Sequence, residues 1–184
     1  MPRWSLLAIL ISCTPAANAP SSVQSVSEGA AEVDATLACT GAANAKWTAT
    51  FKKTSVDECV YRAKEGVLDL RVGTLEQGVV VHLTDFSGTG QYTIAGATGS
   101  KLSVVAQGGT GEATSTNVDT TADDPCKASC MVDVPDASVT KEGGTLSIEI
   151  TCTALTRVAA SVCTRCAPQA KSILRARAIP CRRE

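Results

Sequence analysis

From Val33 onward, apolar and polar residues mostly alternate along the chain, the pattern of half-buried β-strands whose side chains point to opposite faces in turn. Val33, Ala35, Leu37 and Cys39 form one candidate face, and a Gly41-Ala42-Ala43-Asn44 turn follows it. Trp47, Ala49 and Phe51 alternate with Thr48, Thr50 and Lys52. Short strand-like runs come next at residues 59–62 and 68–72. Val79, Val81 and Leu83 alternate with Val80, His82 and Thr84, a run apolar enough for a central strand. Residues 87–90 turn into Tyr92-Thr93-Ile94, and a Gly99-Ser100 break precedes Leu102 and Val104. Residues 107–125 are rich in Gly, Thr and Asp, which predicts loop with part of it as an edge strand.

The best specified unit is the stretch 130–152. Val132 and Val134 alternate with Met131 and Asp133, and Leu146, Ile148 and Ile150 alternate with Ser147, Glu149 and Thr151. The connector Thr140-Lys141-Glu142-Gly143-Gly144 is polar and ends in glycine, as a hairpin connection requires. Pairing about Lys141 sets Cys130 opposite Cys152, Val132 opposite Ile150 and Val134 opposite Ile148. All six then share one face, and a slip of one residue would turn the set to water. The same register opposes Asp133 to Glu149. Like charges directly opposed are unfavourable, so the register calls for a cation such as Lys127 or Arg175, or for a bulge. Beyond the hairpin, Leu155, Val158, Ala159, Val162, Cys163 and Cys166 fall at helical spacing, which leaves 154–169 open to a short helix decorating the sheets. A last strand is expected over 173–179. Strands every 8–12 residues with turn signals between them predict an all-β antiparallel β-sandwich, with a small β-barrel as the alternative.

Composition sharpens this picture at one point. The 184 residues suit one domain plus a tail, and 44% are hydrophobic, but only 3% are aromatic. Val, Ile, Leu and Ala must therefore supply the burial that rings usually provide, and cross-links become useful. Net charge is −1, which points to neither nucleic acid nor an acidic substrate. Its distribution is uneven. Residues 157–184 carry seven basic side chains against Glu184, a local +6, while 13–156 carry nine basic against 17 acidic, a local −8. A basic end of this kind meets a polyanionic surface or folds back on the acidic body.

The amino terminus carries an address. Met1-Pro2-Arg3 is a basic start, and residues 5–12 (SLLAILIS) are an apolar run much shorter than the ~20 residues of a membrane-spanning helix. This is the layout of a signal peptide. Ala17-Asn18-Ala19 has small-x-small form, but Pro20 follows it and disfavours cleavage there. Leu10-Ile11-Ser12-Cys13 instead resembles the bacterial lipobox. The resemblance implies that Cys13 is lipidated and becomes the first mature residue, anchored in the membrane. It also implies that Thr14, not being Asp, goes with outer-membrane sorting. Residues 1–12 are then signal, 13–32 lipidated cysteine and Pro/Ser-rich flexible tether, and 33–184 one disulfide-rich β domain. The strings FSGTGQYTIAG, C-x-V-x-V and I-x-C-T-x-L within residues 86–155 resemble secreted bacterial lipoproteins of β-sandwich type. That resemblance implies no particular activity.

Nine cysteines are present, and assigning Cys13 to lipid leaves an even eight, the count expected of a disulfide framework in an oxidising compartment. The hairpin register pairs Cys130 with Cys152, and locality pairs Cys39 with Cys59. Cys126 is expected to join Cys163 or Cys166, and the other of these to join Cys181. About four bridges would offset the thin aromatic content. Competing chemistry is weaker at each site. Cys163-Thr164-Arg165-Cys166 has the spacing of a thiol-redox motif without the βαβ context. Zinc held by Cys126, Cys130, Cys163 and Cys166 conflicts with export. His82 is the only histidine and sits in a strand pattern; Phe86-Ser87-Gly88-Thr89-Gly90 lacks the leading glycine of a nucleophile turn. Asp119, Asp123 and Asp124 are oxygen ligands without a calcium-loop spacing, and Gly108-Gly109-Thr110-Gly111 lacks the lysine of a phosphate loop. The sequence therefore predicts no catalytic residue, metal or cofactor. It predicts a non-enzymatic envelope lipoprotein with a binding or structural role. Its partners would be the membrane through the anchor, an envelope protein or a polyanionic surface, and not nucleic acid. The alternatives are an exported CxxC thiol protein and a disulfide-stapled inhibitor or partner-binding module.

Overall fold

A computed structural model describes residues 22–34, 37–40, 50–54, 56–73, 78–95, 99–106, 114–118, 129–139, 143–159, 162–168 and 171–184. Its strands are β1 (Ala30–Asp34), β2 (Leu37–Thr40), β3 (Thr50–Thr54), β4 (Val56–Arg62), β5 (Val67–Gly73), β6 (Gly78–Leu83), β7 (Gly90–Ile94), β8 (Lys101–Ala106), β9 (Thr114–Val118), β10 (Ser129–Ala137), β11 (Gly144–Ala159), β12 (Val162–Pro168) and β13 (Leu174–Arg183). Among the described residues the only helical segment is one 3-10 turn, Ser22–Ser25. The all-β expectation holds. The sheet follows the order β2-β12-β11-β13-β4-β5-β6-β8-β9, with β1 and β3 added beside β13, and β10 and β7 beside β11. β9 comes round against β11, so the path is nearly closed and barrel-like. Of the two architectures the sequence allows, the small barrel describes this sheet better than two separate layers.

Every neighbouring pair is antiparallel except β13 and β4, which run parallel through Arg182–Val60 and Arg183–Tyr61. The chain end extends that seam, with Glu184 N–H donating to Tyr61 O at 2.9 Å and Ala63 N–H to Glu184 O at 3.2 Å. The core is aliphatic, as the composition requires. Leu68, Leu70, Val79, Val81, Leu102 and Val104 from one half meet Val132, Val134, Leu146, Ile148, Ile150 and Leu174 from the other. Each such side chain, fully buried, contributes about 1.5–3 kcal/mol. Among the described residues Phe86 is the one aromatic member of this cluster, flanked by Tyr61 and Tyr92 with ring centres 5.2 Å away on each side.

The hairpin forms in the expected register, Cys130 opposite Cys152, Val132 opposite Ile150 and Asp133 opposite Glu149. Past Asp133 the ladder shifts, and Asp136 pairs with Ser147. The bulge comes after the pair, which stays opposed, and the Arg175 guanidinium meets Glu32 at 2.8 Å although its backbone pairs with Glu149. The Ser22 and Ser172 hydroxyls donate to the Glu149 carboxylate. The two connector glycines are required by contact. Gly143 has φ of +103°, and a Cβ there would stand 3.0 Å from Cys181 O; at Gly144 it would collide with the Ser138 carbonyl.

Three expectations are corrected. Residues 154–169 contain no described helix, because β11 runs on to Ala159 and β12 pairs back on it, Leu155 with Cys166 and Val158 with Cys163. The helical spacing came from reading across two strands as if they were one element. The packed body takes in residues ahead of Val33: Val23 and Val26 are buried against the sheet, and the Ser22 hydroxyl ties their turn to Glu149. The face drawn through Val33 and Cys39 is split, since β1 pairs with β13 and β3 while β2 pairs with β12. Of residues 107–125, Thr114–Val118 form a strand at the end of the sheet path, in keeping with the expected edge strand.

Candidate functional site

Two bridges are present among the described residues. Cys130–Cys152 is the predicted one. Cys59 is joined to Cys181, 122 residues away, and not to Cys39; Cys181 is correspondingly not the partner of Cys163 or Cys166. The reason is the parallel seam, which sets Cys59 and Cys181 one step before the paired residues Val60 and Arg182. Locality in sequence gave no hint of a contact made by the last strand. All four sulfurs belong to the buried core. Buried cystines of this kind indicate an oxidising, extracytoplasmic location.

Cys39 lies on β2, and Cys163 and Cys166 lie on β12. In an extended strand, residues three apart have Cα atoms about 10 Å apart, beyond the ~7 Å that a disulfide spans. A CxxC redox couple needs a tighter backbone than β12 provides. Cys13, Cys126, Lys127, Asp119, Asp123, Asp124 and the glycines at 108–111 lie outside the described residues. Among the described residues, no group of three His, Cys, Asp or Glu is placed to hold a metal.

The Cys59–Cys181 bridge forms the base of a cleft of about 570 Å³ between β4, β5, the Gly143–Gly144 turn and the end of β13. Glu58 stands in it between two guanidiniums, Arg71 at 3.7 Å and Arg182 at 3.5 Å. All three side chains are a third or more exposed, at 39%, 35% and 66%, so each pair holds by less than about 1 kcal/mol. Such guanidiniums remain able to take up a second carboxylate in forked geometry. Pro180 and Asp57 complete the rim. The sequence marked neither Glu58 nor the two arginines as a site, because they come from three separate segments with no motif in common.

His82 is on the outward face of β6, 37% exposed, with Nδ1 2.7 Å from Asp69 Oδ1. Arg62 shares that carboxylate and also meets Glu65 at 3.1 Å. Asp69 is the main cause that raises the Arg62 guanidinium above its ordinary pKa, against a smaller opposing effect of burial. The cluster is a surface network of Arg62, Asp69 and Glu65, with the His82 ring as its fourth member. Ser87 belongs to a turn clamped by Tyr92, whose hydroxyl donates to Gly88 O at 2.7 Å and accepts from Ser87 N–H at 3.2 Å. The basic end folds back on the acidic body: Arg175 meets Glu32 at 2.8 Å, Arg177 meets Glu28 at 3.5 Å and Arg182 meets Glu58.

Comparison of the chain with protein-family models, curated proteins and solved structures yields no match.

Proposed function

We propose that the chain is a non-enzymatic lipoprotein of the cell envelope, anchored through Cys13 and carrying a cystine-stapled β-barrel-like body with a binding or structural role. The observation that carries the reading is the pair of buried bridges, Cys59–Cys181 and Cys130–Cys152. They suit export, which the basic-then-apolar start and the lipobox-like Leu10-Ile11-Ser12-Cys13 provide for. The described body includes Ser22, and eight residues lie between it and Cys13. Fully extended, that connection reaches about 30 Å at most, and it would keep the body close to the membrane surface. The cleft with Arg71 and Arg182 is the best candidate contact surface for a partner carrying carboxylates, and no component of the envelope is singled out by it.

The test is the intact mass of the mature protein recovered from the membrane fraction. The expected mass begins at Cys13, adds acyl groups and lacks two hydrogens for each bridge. A Cys13→Ala variant should carry no acyl groups. A mass starting at Pro20, or acyl groups retained in the Cys13→Ala protein, would overturn the anchor.

A further inference from the structure

β2 and β12 run antiparallel with Arg165 opposite Thr40, Cys166 opposite Cys39, Ala167 opposite Ala38 and Pro168 opposite Leu37. Cys39 and Cys166 are thus direct partners in the ladder. Cys130 and Cys152 stand in the same relation in the hairpin, and there the bridge is made across a Cα separation of 4.0 Å. Residues directly opposed in an antiparallel pair have Cα atoms about 4.5–5.5 Å apart, within the reach of a disulfide. We infer that Cys39 and Cys166 form a third cystine, closing the β2–β12 ladder covalently.

The other partners are poorer. Cys59, Cys181, Cys130 and Cys152 are already taken. Cys163 is opposite Val158, and in the β2–β12 ladder it is three places along from the partner of Cys39. At about 3.3 Å per residue that offset alone is about 10 Å. The bridge also has a structural use. β2 ends the sheet path and has β12 as its only paired neighbour among the described strands, the position at which a strand is most easily lost or paired with another chain. The cystine pins it there, and it removes Cys166 from any CxxC cycle. Of the cysteines after Cys13, Cys126 and Cys163 are then left for each other.

Formation follows ordinary thiol–disulfide exchange with a disulfide donor, protein or small molecule, of the oxidising compartment. One cysteine thiolate attacks a donor sulfur and forms a mixed disulfide, releasing the donor's other sulfur as thiolate. The second cysteine thiolate then displaces the donor. Two protons and two electrons leave the protein, and the donor departs as a dithiol.

This inference rests on the extracytoplasmic reading, and one experiment separates the two. Trypsin, which cleaves after Lys and Arg, places Cys39, Cys59, Cys126, Cys130, Cys152, Cys163, Cys166 and Cys181 on separate peptides, with Arg165 dividing Cys163 from Cys166. The full-length protein from the envelope is alkylated at low pH, digested without reduction and mapped by mass spectrometry. The expected result joins the peptide ending at Lys46 to peptide 166–171, and reduction separates them. If Cys59–Cys181 and Cys130–Cys152 are joined but the Lys46 peptide is joined to 158–165 or to 102–127, or is alkylated, the inference fails and the export reading stands. If all eight are alkylated, the export reading itself fails, and this inference with it. In a Cys39→Ser variant, maleimide added after denaturation should label 166–171 and no other cysteine peptide. Label on 158–165 instead would overturn the pairing.

Discussion

At the scale of single residues, the bend of β13 over β11 depends on Ser147 and Ala178. Leu146 pairs with Ile179 and Ile148 with Ala176, so Ser147 faces two residues, Arg177 and Ala178. This two-against-one count is a β-bulge, which bends a strand and increases its twist. Ala178 takes the left-handed conformation at φ of +48°, a position that glycine occupies without steric cost. Its N–H would be left out of the ladder, but it donates to the buried Ser147 hydroxyl at 3.1 Å. Two opposite outcomes are expected. Ser147→Ala leaves that N–H without its acceptor and should destabilise the protein by about 1–3 kcal/mol. Ala178→Gly relieves the left-handed strain, about 1 kcal/mol, against a smaller entropic loss, and should be neutral to slightly stabilising. Urea midpoints of the two variants beside the parent check both. A loss in Ala178→Gly as large as in Ser147→Ala would show that the bulge is not held as described.

At the scale of elements, the N-terminal turn is the piece most easily removed. Val23 and Val26 are 3% and 6% exposed, and their carrier is a single turn held by hydroxyls on Glu149. A chain beginning at Ser22 keeps the described turn and both valines and serves as the reference. A chain beginning at Glu28 loses both valines and should be less stable by about 2 kcal/mol or more, from roughly 1.5–3 kcal/mol per buried side chain less the ordering no longer needed. Equal midpoints for the two would show that the turn is an ornament. The contrast between these elements also shows what the chain discloses before it folds. The register of the 130–152 hairpin was legible from Cys130 to Asp133, where cysteines and aliphatic residues demand the same face, but the shift past Asp133 was not. The valines at 23 and 26 were not, because two apolar residues in a Ser-rich stretch give no period. The 154–169 stretch misled because residues of two paired strands, β11 and β12, were counted as one period. The cleft was invisible for a related reason. Glu58, Arg71 and Arg182 acquire a common location only when the last strand returns to β4.

At the scale of the whole molecule, stability depends on that return. The two groups of strands, β4-β5-β6-β8-β9 and the set around β11 and β13, are joined by hydrogen bonds at the short parallel seam, and the Cys59–Cys181 bridge lies beside it. Arg183 over the Tyr61 ring, 5.6 Å from its centre, adds a cation–π contact on the same seam. The two bridges differ greatly in the chain they enclose, with separations of 122 and 22 residues. In the chain-entropy account the longer loop restrains the unfolded state more, by about 1.5 kcal/mol over the shorter, within totals of roughly 5 and 3.5 kcal/mol. The paired variant Cys59→Ser/Cys181→Ser should therefore lose more stability than Cys130→Ser/Cys152→Ser. It should also lose cooperativity, because releasing the seam frees one group of strands from the other. The measurement is urea unfolding of both variants followed by two probes, tryptophan fluorescence and far-ultraviolet circular dichroism. Two separated transitions are expected for the seam variant and one for the hairpin variant. A single coincident transition in the seam variant, with the smaller loss of the two, would place the strength of the molecule in the interdigitated aliphatic core and leave the seam a minor contributor.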